Sequence, residues 1–364
     1  MANFTNPVPR KGRTPRIPAR WVAFSRRVGA TAARSGSRAC RTSGVLAAAL
    51  AVLLLNLPAS AVGPQDWRVE WPDTDFSRSA VAFEEILSGG PPKDGIPAID
   101  QPVYKPVAQV ELAPQEAVIA LTVNGRSRAY PLRILIWHEI VNDVLGGRPI
   151  AVTYCPLCNA ALVFDRRLGD QVLDFGTTGK LRNSDLVMYD RQTQSWWQQF
   201  LGRAIVGALT GAELAMLPAR LESWQRFSTR YPDGDVLVPN DPRLRPYGAN
   251  PYVGYDSAAF PFLYQGELPQ GIAPMAYVIA IAGEAWPLDR LQEAGRIETD
   301  RLLITWSPGL ASALDSRSIA NGRDLGNVVV QQKDDAGAWR ERSYDLTFAF
   351  VFHAFRPDGT IYLK

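Results

Sequence analysis

The sequence is poor in cysteine and histidine: its 364 residues include three cysteines and two histidines. Cys40 precedes an apolar run near the N-terminus, so Cys155 and Cys158 are the cysteines left for the rest of the chain. One short bridge between them would not amount to a disulfide framework. The chain also has no second Cys-x-x-Cys pair, so this pair is a weak signal by itself.

Acidic residues are absent before position 45, whereas basic residues run from Arg10 to Arg41. The net charge of +3 is therefore a local excess, and the remainder of the chain is acidic. An acidic remainder does not fit a nucleic-acid binder. We expect no nucleic-acid partner and no nucleotide cofactor. Ten Trp, twelve Tyr and 28 Pro favour a loop-rich globule packed with aromatic residues over a helical bundle.

The apolar run Val45–Leu55 is short. Eleven residues at about 1.5 Å each cannot span about 30 Å of hydrocarbon. Pro58 and the small residues Ala59-Ser60-Ala61 follow, which is the pattern that signal peptidases accept. We interpret residues 1–61 as a signal peptide with a long basic leader, cleaved after Ala61. This predicts export to the periplasm or the medium, with no stable membrane anchor after cleavage.

The next segment, 62–115, is rich in Pro and Gly and is interpreted as a lead-in with one short helix around Phe83–Leu87. Alternating apolar residues then predict strands at Val118–Val123 and Ser127–Tyr130, joined by a tight turn. A helix is expected to begin at Pro131 and to carry the chain through Asp143. Further strands are expected at Ile150–Tyr154, Ala161–Arg166 and Gln171–Phe175.

The order of motifs in residues 118–156 recurs in residues 277–308. The two Pro-Leu pairs, beginning at Pro131 and Pro287, are 156 residues apart, and Pro156 and Pro308 are 152 apart. This pattern predicts a degenerate internal duplication, with a first copy at 116–265 and a shortened second copy at 266–364. The expected fold class is α+β and β-rich, a single large globule built from two similar halves.

The second copy lacks the residues that carry chemistry. It has Ser307 in place of Cys155, no second cysteine, and no histidine in place of His138. The residues that both copies share are those that a fold needs, so the comparison assigns a function to the first copy alone.

We expect three ligands for a soft metal to come together in this first copy. The turn at Pro156 brings the sulfurs of Cys155 and Cys158 to one point, and His138 lies 17 residues upstream. Two thiolates and one imidazole are three of the four ligands of a tetrahedral site, so we expect copper or zinc. The protein is then an exported metal-binding protein, with an unknown small molecule or a metal-handling protein as its partner.

The acidic neighbours of His138 give the candidates for catalysis. Glu139 and Asp143 could orient the imidazole or shuttle protons, and Cys155 could act as a nucleophile. The segment His138-Glu139-Ile140-Val141-Asn142 resembles a zinc-protease helix, but Asn142 stands where the second histidine belongs. We therefore reject a zinc protease.

Two other functions remain open for the Cys-x-x-Cys pair. It could belong to a periplasmic thiol-disulfide oxidoreductase, although residues 159–164 favour a strand where such enzymes have a helix. It could also form a structural disulfide in a non-catalytic module. His353 lies in the aromatic run Phe348–Phe355, where a packed strand residue is favoured over a fourth ligand.

A second polar cluster follows the site in sequence. Its residues could form a polar rim over a pocket, with the arginine recognising an anion and the tryptophan forming a wall. The alternative is turn chemistry, in which Asp190 and Thr193 bond to their own backbone. The six candidates for the rim are Asn183, Ser184, Tyr189, Asp190, Arg191 and Trp197.

Five motifs together resemble the bacterial family catalogued as domain of unknown function 3179. The resemblance is clearest over residues 115–265. It implies a domain that is often found in exported bacterial and archaeal proteins, and it implies no activity. The motifs are Ala129-Tyr130-Pro131-Leu132, Trp137-His138-Glu139-Ile140-Val141-Asn142-Asp143, Thr153-Tyr154-Cys155-Pro156-Leu157-Cys158, Asn183-Ser184-Asp185-Leu186 and Tyr189-Asp190-Arg191-Gln192-Thr193.

Overall fold

The structure is a computed structural model that describes residues 64–363. The expected signal peptide, its cleavage site after Ala61 and Cys40 lie outside these residues. Among the described residues, no helix combines the length and the apolar character needed to cross a membrane.

Short β-strands make up most of the regular structure in residues 64–363. They are, in chain order, β1 Ile86–Ser88, β2 Val103–Pro106, β3 Ala117–Val123, β4 Arg126–Pro131, β5 Ile140–Leu145, β6 Arg148–Cys155, β7 Ala160–Asp165, β8 Arg167–Leu168, β9 Gln171–Val172, β10 Phe175–Arg182, β11 Asp185–Asp190, β12 Trp196–Gln198, β13 Arg203–Val206, β14 Met216–Leu217, β15 Ala219–Ser223, β16 Asp235–Val238, β17 Tyr277–Ile281, β18 Glu284–Pro287, β19 Arg296–Glu298, β20 Leu302–Ser307, β21 Asn327–Lys333, β22 Trp339–Glu341, β23 Asp345–Phe348 and β24 Thr360–Ile361.

Within the described chain these strands form five sheets of four or five strands, arranged as a five-bladed β-propeller. A separate hairpin pairs β8 with β9. Most neighbouring strands are antiparallel, but β16 runs parallel to β4 and β24 runs parallel to β18. The strand orders are β1-β10-β11-β12-β13, β14-β7-β6-β5, β15-β3-β4-β16-β2, β23-β17-β18-β24 and β19-β20-β21-β22.

Helices are short and most of them directly follow a strand. A proline precedes both α2 and α4, and its fixed φ suits entry into the first helical turn. Ser223 begins α3 differently, since its side chain accepts a hydrogen bond from the Arg226 amide. The α-helices are α1 Pro64–Trp67, α2 Leu132–His138, α3 Trp224–Arg230, α4 Leu288–Ala294 and α5 Ala349–Phe355, and 3-10 turns lie at Phe83–Glu85, Val107–Gln109, Tyr255–Ser257 and Ile319–Asn321.

The expected α+β globule of two duplicated halves is wrong. Each segment that was interpreted as one copy contributes strands to more than one sheet. In the first segment, β3 and β4 belong to one sheet and β5 and β6 to another; in the second, β17 and β18 are separated from β19 and β20 in the same way. Alternation of apolar residues identifies a strand but not its partners, so it could not give the number of sheets.

Several individual strands are confirmed. The expected strand at Val118–Val123 lies within β3, and the one at Ile150–Tyr154 lies within β6. The helix expected to run through Asp143 is wrong beyond His138. Its last residue is followed by Glu139 in a left-handed conformation (φ 57°), and the chain then continues as β5, which pairs with β6. A residue with positive φ cannot continue a right-handed helix.

Two smaller expectations also need correction. The short helix around Phe83–Leu87 is a 3-10 turn that gives way to β1. The aromatic run around His353 is helix α5, not a strand. A continuous apolar run has no period that would separate a buried helix from a buried strand.

The main hydrophobic core contains residues from both sides of position 265, for example Val152 and Ile279, both fully buried. Cys155 and Cys158 belong to this core. A second cluster forms around Trp71 and Trp196, whose rings meet edge to face at 5.2 Å. The site residues therefore lie in a rigid, closely packed environment.

Candidate functional site

The Cys-x-x-Cys segment is a tight turn between two antiparallel strands. Strand β6 ends at Cys155, which pairs with Ala160 of β7, and the Cys158 amide donates to the Cys155 carbonyl at 3.2 Å. Asn159 closes the turn with φ 49°. Both thiols are free and buried. The turn brings two sulfurs to one place, as the sequence predicts.

Asp185 completes a group of three potential ligands. It begins β11, in a different sheet from the strands β6 and β7 that the cysteine turn joins. One ligand atom from each of Cys155, Cys158 and Asp185 lies within 4.8 Å of the other two. The sequence interpretation missed Asp185 as a ligand. The available signal was its place in the motif Asn183-Ser184-Asp185-Leu186, beside residues that were assigned to a pocket rim.

The Asp185 carboxylate is only half satisfied. Its Oδ2 accepts hydrogen bonds from the Gln198 side chain at 2.7 Å and from the Phe200 amide at 2.9 Å. Its Oδ1 is buried and has no nitrogen or oxygen donor among the described residues. Burial raises the pKa of Asp185 to about 6, although these hydrogen bonds act in the opposite direction. A carboxylate that is ionised at neutral pH therefore lies beside two thiols, which act on it as weak hydrogen-bond donors.

The two thiols are held in their neutral form. Burial raises the pKa of both Cys155 and Cys158. Reactive cysteines show the opposite shift, because an active thiol needs a basic or polar surrounding that stabilises the thiolate. The pair is thus poorly suited to nucleophilic attack, and a bound cation would reverse the balance by favouring the thiolates.

Glu139 is the fourth acidic group near this point. Glu139 is 7% exposed. Burial, together with the negative charge of Asp185, raises the pKa of its carboxyl group to about 8. The residue lines a cavity of about 500 Å³, which is also lined by Leu157 from the cysteine turn and by Leu186 from β11. The cavity therefore adjoins the group formed by Cys155, Cys158 and Asp185.

The structure places His138 in other contacts. Its Nδ1 lies 2.8 Å from the Pro97 carbonyl and its Nε2 lies 2.8 Å from the Tyr247 hydroxyl, so both ring nitrogens are engaged. Burial lowers the pKa of His138. Its ring nitrogens are not part of the three-residue group. His353 lies on α5 and is likewise outside that group.

Asp143 is likewise engaged with residues other than His138. It lies on β5 and accepts hydrogen bonds from Arg128 Nη1 at 2.7 Å and from the Tyr130 hydroxyl at 2.5 Å. The Val144 amide donates to its other oxygen. Asp143 is thus the anion of a buried ion pair.

The residues suggested as a pocket rim mostly bond to one another or to nearby loops. Tyr189 donates to Asp94 at 2.5 Å, Arg191 donates to Asp100 at 2.5 Å, and Trp197 donates to Asp190 at 2.9 Å. Asp190 also accepts from the Thr193 amide, which is the turn chemistry considered above.

The remaining two rim candidates lie nearer the cysteines. Ser184 donates to the Phe262 carbonyl at 2.5 Å, and its own carbonyl lies 3.9 Å from Cys155 Sγ. Asn183 and Ser184 both have positive φ and form the turn that leads into β11. This turn sets the position of Asp185 opposite the cysteine turn.

Comparison with known proteins places the chain in a family. No curated protein and no solved structure matches it. A family profile with the description "Protein of unknown function (DUF3179)" matches residues 93–359, a stretch that contains Cys155, Cys158 and Asp185. Because this match covers well over half of the sequence, the chain belongs to the DUF3179 family.

Proposed function

We propose that the protein binds a divalent metal ion, zinc in particular, through Cys155, Cys158 and Asp185. The observation that carries this proposal is the 4.8 Å grouping of two sulfurs and a carboxylate oxygen, all buried. Bonds of about 2.0–2.3 Å to one zinc ion place neighbouring ligand atoms about 3.5–4 Å apart. Small side-chain rotations would bring the three atoms to that spacing.

The electrostatics of the group support a cationic ligand. Asp185 Oδ1 has no nitrogen or oxygen donor among the described residues, and the neighbouring thiols of Cys155 and Cys158 are only weak donors. No ion pair within residues 64–363 neutralises this carboxylate. A buried anion left in this state destabilises the folded protein. A divalent ion would compensate the carboxylate and the two thiolates together, and its binding would release the thiol protons.

Zinc fits this donor set better than copper does. Monovalent copper prefers thiolate and thioether ligands, whereas zinc accepts sulfur and carboxylate oxygen in one tetrahedral site. The sequence predicted His138 as the third metal ligand, which suits both copper and zinc. With Asp185 as the third ligand instead, we propose zinc. Three protein ligands leave a fourth position for water or for a small molecule.

A thiol-disulfide oxidoreductase is the second candidate, and the free thiols of Cys155 and Cys158 favour it. Burial raises the pKa of both thiols, however, which slows thiolate attack on a disulfide. A strand rather than a helix also follows the pair. We therefore rank this function below metal binding.

Substitution of cobalt for zinc tests the proposal. Reduced protein titrated with Co²⁺ should develop thiolate-to-cobalt charge-transfer absorption in the near ultraviolet, and zinc should displace the cobalt. Cys155→Ser and Cys158→Ser should each abolish this absorption. Asp185→Asn should weaken binding by about 10–100-fold or more.

Two variants serve as matched controls. Asp190→Asn changes a buried carboxylate on the same strand as Asp185, but Asp190 is bonded by Trp197 and Thr193. It should leave cobalt affinity unchanged, as should His138→Ala. Protein that binds neither metal when reduced, or that binds equally well without both cysteines, contradicts the proposal.

A further inference from the structure

The cavity beside the cysteine turn has the size and lining of a small-molecule site. Its volume is about 500 Å³, within the range of about 300–1,000 Å³ that is usual for such sites. Apolar and aromatic residues supply most of its wall, including Leu157, Leu186, Tyr252, Tyr255 and Phe262. The cavity is therefore suited to a ligand with a largely apolar body.

Hydrogen bonds hold the wall in place. The Tyr255 hydroxyl donates to the Leu157 carbonyl at 3.1 Å and accepts from the Phe262 amide at 3.3 Å. Ser184 donates to the Phe262 carbonyl. These bonds tie the loop around residues 251–262 to the cysteine turn and to the start of β11, so the cavity is preformed.

Glu139 places a single unpaired carboxyl in this wall. Its side chain makes no hydrogen bond and no ion pair with the residues of the described chain, and the residue is only 7% exposed, with its carboxyl group open to the cavity. A buried carboxyl group without a partner is unfavourable. The missing partner can come from a ligand in the cavity, because Glu139 lines it.

The charges around the cavity select the sign of that ligand. Lys180 lines the cavity, but its ammonium group lies 3.1 Å from Glu70 and is thereby neutralised. The negative charge of Asp185 acts on Glu139. An anionic ligand would thus meet the Glu139 carboxyl in the wall, with the negative charge of Asp185 beyond it, and no free cation from the lining residues. An ammonium group would be attracted to Glu139 and to the aromatic residues.

We infer that this cavity binds a small organic amine with an apolar body, whose ammonium group contacts the Glu139 carboxyl. This site is separate from the proposed metal ligands, since Cys155, Cys158 and Asp185 do not line the cavity. Phe262, which is 50% exposed, and Val253, which is 54% exposed, give the cavity an apolar entrance.

Three probes with the same ring test the inference on the full-length protein: benzylamine, benzyl alcohol and benzoate. Calorimetric titration at about pH 8.5 keeps benzylamine cationic and benzoate anionic. This pH also lies above the pKa of about 8 of Glu139, so that its carboxyl is mostly ionised. Benzylamine should bind about 10-fold or more tightly than benzyl alcohol, as expected of a hydrogen bond to a charged group. Benzoate should bind more weakly than the alcohol.

Variants assign the effect to Glu139. Glu139→Gln keeps the size of the side chain and should abolish the preference for the amine while benzyl alcohol still binds. Phe262→Ala, at a half-exposed position, should weaken the amine and the alcohol alike. Exposed Glu84 provides a control, and Glu84→Gln should change neither affinity.

The result overturns the inference if no probe binds, if benzoate equals benzylamine, or if Glu139→Gln retains the preference for the amine. Cys155→Ser separates the amine site from the metal site. Amine binding should survive this substitution unchanged, even if the proposed metal binding is never observed. Loss of amine binding in Cys155→Ser would place the amine on the cysteine group and contradict the assignment to Glu139.

Discussion

Glu139 and Gly295 occupy the same backbone position at the ends of two seven-residue helices. Glu139 follows α2 with φ 57° and ψ −32°, and Gly295 follows α4 with φ 71° and ψ −30°. Each amide donates to a leucine carbonyl four residues earlier, in Leu135 or Leu291. Glycine adopts this conformation freely, whereas a residue with a Cβ is strained in it. A strained residue with an unpaired buried carboxyl is a sign of function.

Substitutions at Glu139 and Gly295 should change the stability of the folded protein in opposite directions. Glu139→Gly relieves the backbone strain and removes the buried carboxyl, so the free energy of unfolding should rise by about 1 kcal/mol or more. Gly295→Ala should lower the free energy of unfolding by about 1 kcal/mol. An added Cβ at Gly295 meets open space, so the strain of the positive φ is the only cost. Urea denaturation measures both. A loss of stability in Glu139→Gly together with a neutral Gly295→Ala would show that this conformation carries no strain.

The raised pKa of Glu139 predicts a specific dependence of stability on pH. The folded protein holds the Glu139 proton up to about pH 8, whereas the unfolded chain releases it near its ordinary value of 4.5. The stabilising contribution of this carboxyl is therefore complete below about pH 4.5 and is lost as the pH rises through about 8. Relative to Glu139→Gln, the wild-type protein should lose a few kcal/mol of unfolding free energy over this window. Parallel curves for the two proteins between about pH 5 and 8 would contradict this pKa.

The sequence located part of the site because that part is local. Cys155, Pro156 and Cys158 lie on one turn, and their spacing alone brings the two sulfurs together. Asp185 could not be assigned in the same way, since it reaches the cysteines from another sheet. His138 was expected in the site because the chain returns from its helix through a strand into the cysteine turn. No pattern in the sequence marks the positive φ of Glu139, at which that helix ends.

The fold shows the same division between local and long-range information. The apolar alternation at Val118–Val123 was enough to predict β3. It contained nothing about the distribution of strands among five sheets, which depends on contacts between distant segments. The loop that forms much of the cavity wall, residues 251–262, has no periodic pattern, so Tyr252 and Tyr255 gave no signal in the sequence.

Asp143 is predicted to act on stability and not on metal binding. Its carboxylate accepts hydrogen bonds from Arg128 and Tyr130, and the side chains of Arg128 and Asp143 are 10% and 4% exposed. Asp143→Asn leaves the buried Arg128 charge with Asp235, 3.4 Å away, as its remaining anion. The free energy of unfolding should therefore fall by about 2–3 kcal/mol. Tyr130→Phe removes one hydrogen bond and should lower it by about 1–2 kcal/mol. Cobalt affinity should be unchanged in both; a large drop in Asp143→Asn would return Asp143 to the metal site.

Export is a further proposal, which rests on the basic leader, the apolar run Val45–Leu55 and the small residues before Val62. A full-length chain carrying a C-terminal tag should be recovered outside the cytoplasm with a mature N-terminus near Val62, as determined by mass spectrometry. Changing Ala59 and Ala61 to bulky residues should block cleavage. Recovery of the uncleaved wild-type chain from the cytoplasm would refute this proposal.

The pH dependence of zinc affinity distinguishes ligation by both cysteines from ligation by one. Burial raises the pKa of Cys155 and Cys158, so both thiols hold protons at neutral pH and must release them to bind zinc. Asp185, whose pKa is about 6, is already ionised above that value and contributes no further proton. The zinc affinity should therefore increase by up to about 100-fold per pH unit above about pH 7, because two protons leave for each ion bound.

In Cys158→Ser, any residual zinc affinity should increase by only about 10-fold per pH unit, since one thiol remains. Competition with a chelator of known proton affinity measures both slopes. An affinity that does not change with pH would mean that zinc binds elsewhere, through groups that are already deprotonated.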